Sequence, residues 1–308
     1  MRSQTFTITP SGPFSLMEAG MFGFGQRHDT GWDGVLRLAF CLDGYTQQVG
    51  VAVSQDSAGD VHGGVSGPQR LDIDIVQRQV ARVLSLDYDG TEFTSVGERD
   101  PVIGRLQAAA PGLRPPLFYS PYEAAAWCVL SARRPGRQMM AVRDRLSLAH
   151  GTVFDLAGQQ LAALPTPDRL LKIESFPGIS PEKIQRLHGV AEAALTGRLD
   201  ADHLLALGPE PATAQLQQIG GIGPFYSSLI VIRGTGFADV LPVSEPRALE
   251  LISRLYDLDG PPTPAQIQEI AEPWRPLRTW AVVLIRAAAQ RVLGDQPASA
   301  ASRSPLAP

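Results

Sequence analysis

The stretch IGGIGPFYSS, from Ile219 to Ser228, places three glycines and a proline within five residues, directly ahead of an apolar run. In the longer segment LQQIGGIGPFYSSLIVIRG, Leu216 precedes the glycines, and Leu229 and Ile230 follow them. This pattern predicts two apolar helices joined by a tight hairpin. Because glycine has no Cβ and tolerates positive φ, the chain can turn sharply there and its amides can approach another molecule closely.

Gly221 and Gly223 are glycines that can adopt positive φ. The amides at the start of the second helix add the positive end of a helix dipole. Together these groups predict a site that binds one phosphate through backbone amides, here called the phosphate cradle. Such a site does not contact the bases, which suits binding to a nucleic-acid backbone. The alternative interpretation of the hairpin is a loop that joins two core helices and has no binding role. A dinucleotide-binding fold is less favoured because no strand precedes the glycines.

Length and composition indicate a globular protein. With 308 residues, 44% of them hydrophobic, the chain is long enough for about two domains. No apolar run approaches the roughly 20 residues of a membrane span, and the first residues lack a signal-peptide core. These features predict a cytoplasmic protein with no membrane partner. Cys41 and Cys128 are too few for a four-thiolate iron-sulfur cluster and too isolated for a zinc site, so buried apolar roles are expected.

The chain changes character near residue 113. Before that point, GVLRLAFCL and YTQQVGVAV are typical of strands, and DIDIVQRQVARVLSL places Val76, Val80 and Val83 at helical spacing. After it, helical segments rich in Ala, Leu and Arg are expected to replace strands. The predicted divisions are a mixed α/β domain over 1–112, a helical domain over 113–294 and a disordered tail over 295–308.

A basic turn is predicted between two helices. The segment SPYE at 120–123 combines a Ser cap, Pro at the first helical position and Glu three residues after the cap, which is a capping box. That helix begins at Pro121 and is expected to end before Pro135. Between Glu123 and Asp144 the chain has no acidic residue. The arginines in this interval, predicted to form one basic face, are Arg133, Arg134, Arg137 and Arg143.

Five segments in order resemble one known family. LQQIGGIGPFYSS is similar to the motif Leu-x-x-Ile-Pro-Gly-Ile-Gly-Pro-Trp-Thr-Ala, with Gly220 for its proline and Phe225 for its tryptophan. ADVLPVSEPRALEL is similar to an Asp-Val-Phe-Pro-x-x-Asp segment, and EPWRPLRTWAVVLI to a Trp-x-Pro-Tyr-Arg-x-x-Ala helix. PGLRPPLFYSPYEAAAWCVL and FPGISPEKIQRLHGVAEAALTGRLD also fall in family order. Through these segments the chain resembles the helix-hairpin-helix DNA glycosylases, in particular the bacterial 3-methyladenine DNA glycosylase II branch.

The resemblance implies an α+β fold. Its parts would be an N-terminal mixed α/β domain, similar to half of a TATA-binding-protein fold, and an all-α, two-lobed helix-hairpin-helix glycosylase domain. It implies a monomer that flips a damaged base out of double-stranded DNA and hydrolyses its glycosidic bond. No cofactor or iron-sulfur cluster is expected. A structural monovalent metal ion held by hairpin carbonyls near Gly221 and Gly223 stays open. No residue is assigned as a metal ligand, since the histidines are scattered, at His28, His62, His150, His188 and His203.

The resemblance places the catalytic carboxylate at Glu245, 22 residues after Gly223, where the family has Asp. Glu keeps the negative charge but displaces it by about 1 Å, a shift that can cost on the order of 10²-fold in rate. Pro246 suits the first helical position, which would keep Glu245 at the helix cap. Three readings stay open: a weakened glycosylase, a catalytically silent DNA-binding or lesion-sensing homologue, and an N-glycosidase for a different base. A solvated carboxylate at a helix start is the plain alternative.

The resemblance also implies further site residues. Arg133 falls where the family inserts a wedge into the base stack, and DNA contacts are expected from Arg133, Arg134, Gly221, Ile222, Gly223 and Phe225. Candidates to line a base pocket by stacking are Tyr119, Tyr122, Trp127 and Tyr226, although most aromatic residues at helical spacing pack in a core. Bifunctional relatives have lysine where this chain has Phe225, so lyase chemistry is not expected. Arg278 is expected in a structural ion pair, and Trp274 and Trp280 in the core.

Overall fold

A computed structural model describes residues 4–22, 31–242 and 245–294. The N-terminal part is a four-stranded antiparallel sheet in the order β1-β4-β3-β2. Its strands are β1 Gln4–Ile8, β2 Val35–Cys41, β3 Gln48–Gln55 and β4 Val61–Ser66. Helices α1 Leu16–Phe22 and α2 Ile73–Val83 accompany this sheet. Val76, Val80 and Val83 of α2 are buried in the same hydrophobic cluster as the strands, which confirms the predicted sheet with an amphipathic helix.

Helices dominate the rest of the chain. In order they are α3 Gly90–Arg99, α4 Pro101–Ala109, α5 Pro121–Ser131, α6 Gly136–His150, α7 Pro167–Leu170, α8 Pro181–Leu195, α9 Ala201–Leu207, α10 Pro209–Leu216, α11 Pro224–Ile230, α12 Pro246–Leu255, α13 Pro264–Ala271 and α14 Arg278–Leu293. A π-helical turn, Val231–Thr235, continues α11.

A second, two-stranded sheet contradicts the expectation of a purely helical region after residue 113. Strands β5 Val153–Leu156 and β6 Gln159–Ala162 form an antiparallel hairpin that packs on β2 and β3. Phe154 occupies the space beside Gly50, where a Cβ would lie 2.6 Å from the ring. Buried Arg37 of β2 donates from Nε to the carbonyl oxygen of Leu156 at 2.9 Å. These long-range contacts stabilise strands too short to be recognised from local pattern.

The helices enclose two hydrophobic clusters. One contains apolar residues of α5, α8, α10 and α11, and the other contains those of α3, α4, α12 and α14. Trp274 and Trp280 are buried in the second cluster, which confirms their expected core roles. Helices α3 and α4 thus precede residue 113 in sequence but pack with the C-terminal helices. The domain boundaries stay a prediction, and the tail over 295–308 lies outside the described residues.

Candidate nucleic-acid interface and carboxylate site

The glycine hairpin joins α10 to α11, as the sequence predicts. Gly221 has φ +91°, in the left-handed region that favours glycine. Gly223 does not use this conformation, because its φ of −88° and ψ of −174° are extended backbone open to any residue. Ile222 is buried, and its amide donates to the carbonyl of Ile219 at 3.0 Å inside the turn. Ile222 therefore anchors the hairpin in the core, and its amide is already engaged.

A cleft of about 710 Å³ opens at this hairpin. The turn between α5 and α6 forms one wall, and the first turns of α8 form another. The basic side chains along it are Arg133, Arg134, Lys183 and Arg186. Glu182 is the acidic residue of the lining, and its Oε1 pairs with Arg186 at 2.5 Å. The cleft therefore has a positive balance of charge, which suits an anionic backbone.

The arginine turn has the predicted position, between the end of α5 at Ser131 and the start of α6 at Gly136. Arg133 has φ +56°, a left-handed conformation that is uncommon outside glycine and clusters at functional sites. Arg133, Arg134 and Arg137 are exposed, and no carboxylate in the described part of the chain pairs with them.

Arg143 does not belong to that exposed basic face, contrary to the sequence prediction. Its guanidinium donates to Glu123 Oε2 at 3.0 Å, and the Glu123 carboxylate is buried. Glu123 also accepts from the amide of Cys41 at 3.3 Å. Burial raises the pKa of Glu123, and the charge of Arg143 acts in the opposite direction. The ion pair thus links α5 to α6 and to β2.

The predicted capping box at the start of α5 is half correct. The Ser120 hydroxyl accepts from the amide of Glu123 at 3.2 Å, and Pro121 is the first helical residue. The reciprocal half would need the Glu123 side chain to turn back to the cap. That side chain instead accepts hydrogen bonds from the Cys41 amide and the Arg143 guanidinium, which tertiary packing brings within reach.

Lys183 holds the carbonyl end of α5, a role that the sequence did not reveal. Its Nζ donates to the carbonyl oxygens of Leu130 and Ala132. A cation at a helix C-terminus satisfies open carbonyls and opposes the negative end of the dipole. Burial, together with the positive charges of Arg134 and Arg186, lowers the pKa of Lys183. No local signal could reveal this contact, since the partners lie 51 and 53 positions apart.

Glu245 is the N-cap of α12, with Pro246 at the first helical position, as predicted. Its Oε2 accepts from the amide of Ala248 at 2.5 Å. The Arg286 Nε of α14 lies 3.7 Å from the same oxygen. Glu245 is buried, so the plain expectation of a solvated carboxylate at a helix start is wrong. Arg286 is a member of this site that sequence reasoning missed.

A second arginine lies near Arg286. Arg233, in the π-helical turn, is buried and donates to the carbonyl oxygen of Pro116 at 2.6 Å and 3.2 Å. Its guanidinium also lies 5.5 Å from the centre of the Phe22 ring. Burial, and then the charge of Arg286, lowers the pKa of Arg233 to about 9. Burial likewise lowers the pKa of Arg286, while the Glu245 carboxylate opposes this.

Most of the aromatic candidates for a base pocket are core residues instead. Tyr119, Tyr122 and Trp127 are buried. The Tyr122 hydroxyl donates to the carbonyl of Pro165 at 2.8 Å, and the Tyr119 ring packs 5.4 Å from that of Phe40. All three side chains thus pack within hydrophobic clusters, and their role in a base pocket stays a prediction.

Tyr226 differs from these residues because it is half-buried and lines the cleft at the hairpin. The ring of Phe225 meets it edge-on at 5.5 Å. Arg278 forms the expected structural ion pair, with its Nε 2.7 Å from Asp239 Oδ1. Cys41 and Cys128 are buried as expected, and burial raises the pKa of both thiols.

The described residues contain neither a metal-binding cluster of side chains nor a membrane-spanning helix. Within 4–22, 31–242 and 245–294, no group of three or more His, Cys, Asp and Glu side chains is placed to hold a metal ion. In the same ranges, none of the helices combines the length and apolar character needed to cross a membrane.

Several DNA glycosylases are similar to this chain in sequence or in fold. No family model matches the chain. It is 23% identical over 200 residues to the DNA-3-methyladenine glycosylase of Bacillus subtilis (strain 168), covering 64% of this chain and 66% of that protein. It is 28% identical over 187 residues to DNA-3-methyladenine glycosylase 2 of Escherichia coli (strain K12), covering 59% and 63%. The solved structure of 3-methyladenine DNA-glycosylase from Archaeoglobus fulgidus matches 93% of this chain and 98% of its own, with TM-score 0.75 and 20% identity.

These sequence similarities to proteins named DNA-3-methyladenine glycosylase support the resemblance to the helix-hairpin-helix DNA glycosylases and to their bacterial 3-methyladenine DNA glycosylase II branch. The helix-rich fold with a small antiparallel sheet matches the solved glycosylase structure, which confirms the mixed fold class. Similarity of the N-terminal part to half of a TATA-binding-protein fold, and the two-lobed division of this superfamily, stay predictions here.

Proposed function

We propose that this chain is a monofunctional DNA glycosylase that flips alkylated purines out of duplex DNA and hydrolyses their N-glycosidic bond. The observation that carries the proposal is the placement of Glu245. A buried carboxylate caps α12 at the position that the family resemblance implies for the catalytic Asp, 22 residues after Gly223.

The proposed chemistry uses the charge of that carboxylate. As the bond between the base and C1′ breaks, positive charge builds on the sugar, and a fixed negative group beside it stabilises the transition state. Water then supplies the oxygen that bonds to C1′. The hairpin has Phe225 where bifunctional relatives have lysine, and Lys183 of the cleft is bonded to carbonyls of α5. Both facts favour hydrolysis without a Schiff base.

Double-stranded DNA is the proposed partner, bound by a single copy of the chain. The exposed guanidiniums of Arg133 and Arg134 and the hairpin backbone at Gly221 and Gly223 lie along one cleft, so they can contact phosphates on both sides of a flipped nucleotide. These contacts do not depend on base sequence. A salt-sensitive, sequence-independent affinity for duplex is therefore expected.

A catalytically silent DNA-binding or lesion-sensing protein is the second candidate. One observation favours it: Oε2 of Glu245 is engaged by both the Ala248 amide and Arg286. A carboxylate that is held by a cap and partly neutralised by a cation stabilises a developing positive charge less well. An N-glycosidase for another base is the third reading, since the longer Glu reaches a different point.

Single-turnover base release separates these candidates. The parent, Glu245→Gln and Glu245→Asp are compared on methylated duplex and on duplexes with other lesions. Gln keeps an oxygen that can cap Ala248, so it removes charge at nearly constant shape. For a weakened alkylpurine glycosylase we expect slow release by the parent, loss of at least about 10²-fold in Gln, and faster release by Asp.

The rivals give different patterns in that experiment. If the protein is catalytically silent, the parent releases no base from any of the duplexes. If it is an enzyme for another lesion, Glu245→Asp releases that lesion more slowly than the parent does. If the parent is active and Glu245→Gln releases base at the same rate, Glu245 is not the catalytic carboxylate. Duplex binding, measured for each variant, verifies that the interface is intact.

A further inference from the structure

The Arg186 side chain of α8 lies against the glycine hairpin. A Cβ added at Gly221 would lie 2.9 Å from Arg186 Cδ and 3.5 Å from its Nε. The Arg186 side chain is also 39% exposed and lines the cleft. Its stem therefore packs on the backbone of Gly221, and its positive charge lies at the hairpin that is proposed to contact a phosphate.

In this structure the guanidinium of Arg186 pairs with Glu182, one helical turn earlier on α8. Arg186 Nη2 lies 2.5 Å from Glu182 Oε1, and the Glu182 side chain is 70% exposed. An exposed pair with this spacing changes an equilibrium by only about twofold, because water screens the charges and two long side chains must be ordered. The pair is therefore easily displaced by a stronger anionic ligand.

The neighbouring charges favour an anion at this point. Lys183 donates to two carbonyl oxygens of the α5 end, so its ammonium has partners already. Burial lowers the pKa of Lys183, and the positive charges of Arg134 and Arg186 act in the same direction. These three cations thus lie within electrostatic reach of one another, and Glu182 is the acidic residue among the lining residues. A bound anion reduces their mutual repulsion.

We propose that Arg186 is a phosphate-binding residue of the cleft, which releases the Glu182 carboxylate and takes a DNA phosphate in its place when duplex binds. This inference rests on the proposed function, because it takes duplex DNA as the ligand. It adds a charged side chain from α8 to the contacts proposed for the hairpin backbone and the arginine turn.

The chemistry of the two partners explains the exchange. A phosphodiester has two unesterified oxygens, and the planar guanidinium can donate to both of them in parallel. Because its stem rests on Gly221, Arg186 is held beside the hairpin and loses little freedom when a phosphate arrives. Glu182 then acts as an internal competitor that every phosphate must displace.

The test is a double-mutant cycle on binding to duplex with a tetrahydrofuran abasic site. It compares the parent, Arg186→Met, Glu182→Gln and the double variant over a range of salt concentrations. Met keeps an unbranched stem against Gly221 and removes the charge. Arg186→Met should bind about tenfold more weakly near 0.1 M salt, with a salt slope that is shallower by about 0.9, the value for one phosphate contact.

Glu182→Gln should bind about twofold more tightly than the parent, since phosphate no longer displaces a carboxylate. In the Arg186→Met background the same substitution should give no gain. Arg186→Lys keeps the charge and should retain the salt slope of the parent. Arg78→Met, at an exposed position of α2, is the control for loss of one positive charge and should also retain that slope. Thermal melting verifies folding, and Arg186→Gln replaces Arg186→Met in the cycle if the Met variant is unfolded.

The outcomes separate this inference from the proposed function. A gain from Glu182→Gln that persists in the Arg186→Met background would mean that Glu182 repels DNA directly, and the exchange would be wrong. Parent-like affinity and salt slope in Arg186→Met would also overturn the inference, while base release by the parent would leave the proposed function standing. If the cycle shows the coupling but the parent releases no base, the inference stands and the glycosylase proposal alone falls. A parent that does not bind duplex would overturn both.

Discussion

The Lys183 ammonium donates a hydrogen bond of 3.0 Å to the carbonyl oxygen of Ala132, the C-cap residue that follows α5 and directly precedes Arg133. It also donates to Leu130 of the same helix. A cation on α8 thus fixes the turn whose next residue, Arg133, has a left-handed backbone. The conformation of the proposed wedge depends on a side chain from the opposite wall of the cleft.

Lys183→Met should therefore loosen the arginine turn. It removes both hydrogen bonds to carbonyl oxygens while keeping most of the aliphatic stem. We expect the free energy of unfolding to fall by about 1.5–3 kcal/mol, which is typical for a hydrogen bond that involves a charged group. Urea denaturation measures this. Lys172→Met is the control, since Lys172 is exposed and makes no side-chain hydrogen bond within the described residues. Equal stability of the two variants would contradict the capping role.

The two hairpin glycines should respond differently to valine. Gly221 has φ +91°, and a Cβ there would lie 2.9 Å from Arg186 Cδ, so Gly221→Val should destabilise the fold by more than about 1 kcal/mol. Gly223 is extended, and a Cβ there meets no atom within 4 Å. Gly223→Val should fold normally but bind duplex weakly, with the same loss on every sequence. Thermal melting and fluorescence titration measure the two effects; parent-like binding by Gly223→Val would refute the phosphate cradle.

Removal of the Arg133 side chain should weaken binding to opened DNA selectively. Because its backbone is left-handed, glycine is the substitution that keeps the turn unstrained. Arg133→Gly is expected to lose more affinity for duplex with an abasic site than for intact duplex, since a wedge acts once the stack is open. Arg137→Ala, another exposed arginine of the region, should weaken both equally. If Arg133→Gly lost the same affinity for abasic and for intact duplex, Arg133 would be a phosphate contact and not a wedge.

The contribution of Asp33 to the free energy of unfolding should decrease at acidic pH. Hydrogen bonds from Arg37, at 2.7 Å and 3.1 Å, lower the pKa of Asp33 from 3.8 to about 2. Because the folded pKa lies below the unfolded one, the contribution is complete above about pH 4 and is lost as the pH falls towards 2. The difference in unfolding midpoint between the parent and Asp33→Asn should therefore shrink over that interval. A difference that stays constant over that interval would contradict this role of Asp33.

Local chemistry made several features predictable from sequence. The hairpin around Gly221, the start of α5 at Pro121 and the position of Glu245 ahead of Pro246 each depend on a few adjacent residues. Glycine permits the left-handed turn, proline suits the first turn of a helix, and an oxygen-bearing side chain before it can cap the open amides. The roles proposed for these residues in DNA binding and catalysis stay predictions.

Only the tertiary structure decided which partners the charged side chains take. Glu123 reaches Cys41 and Arg143 instead of closing its capping box, and Lys183 meets the end of α5. Arg286 faces Glu245 because α14 packs on α12, although 41 positions separate the two residues. An unpaired charge that is isolated from water has a high free-energy cost, so a buried charged side chain pairs with a group that helix packing brings close to it. Sequence spacing determines the helix on which a charge lies, but not the element that will face it.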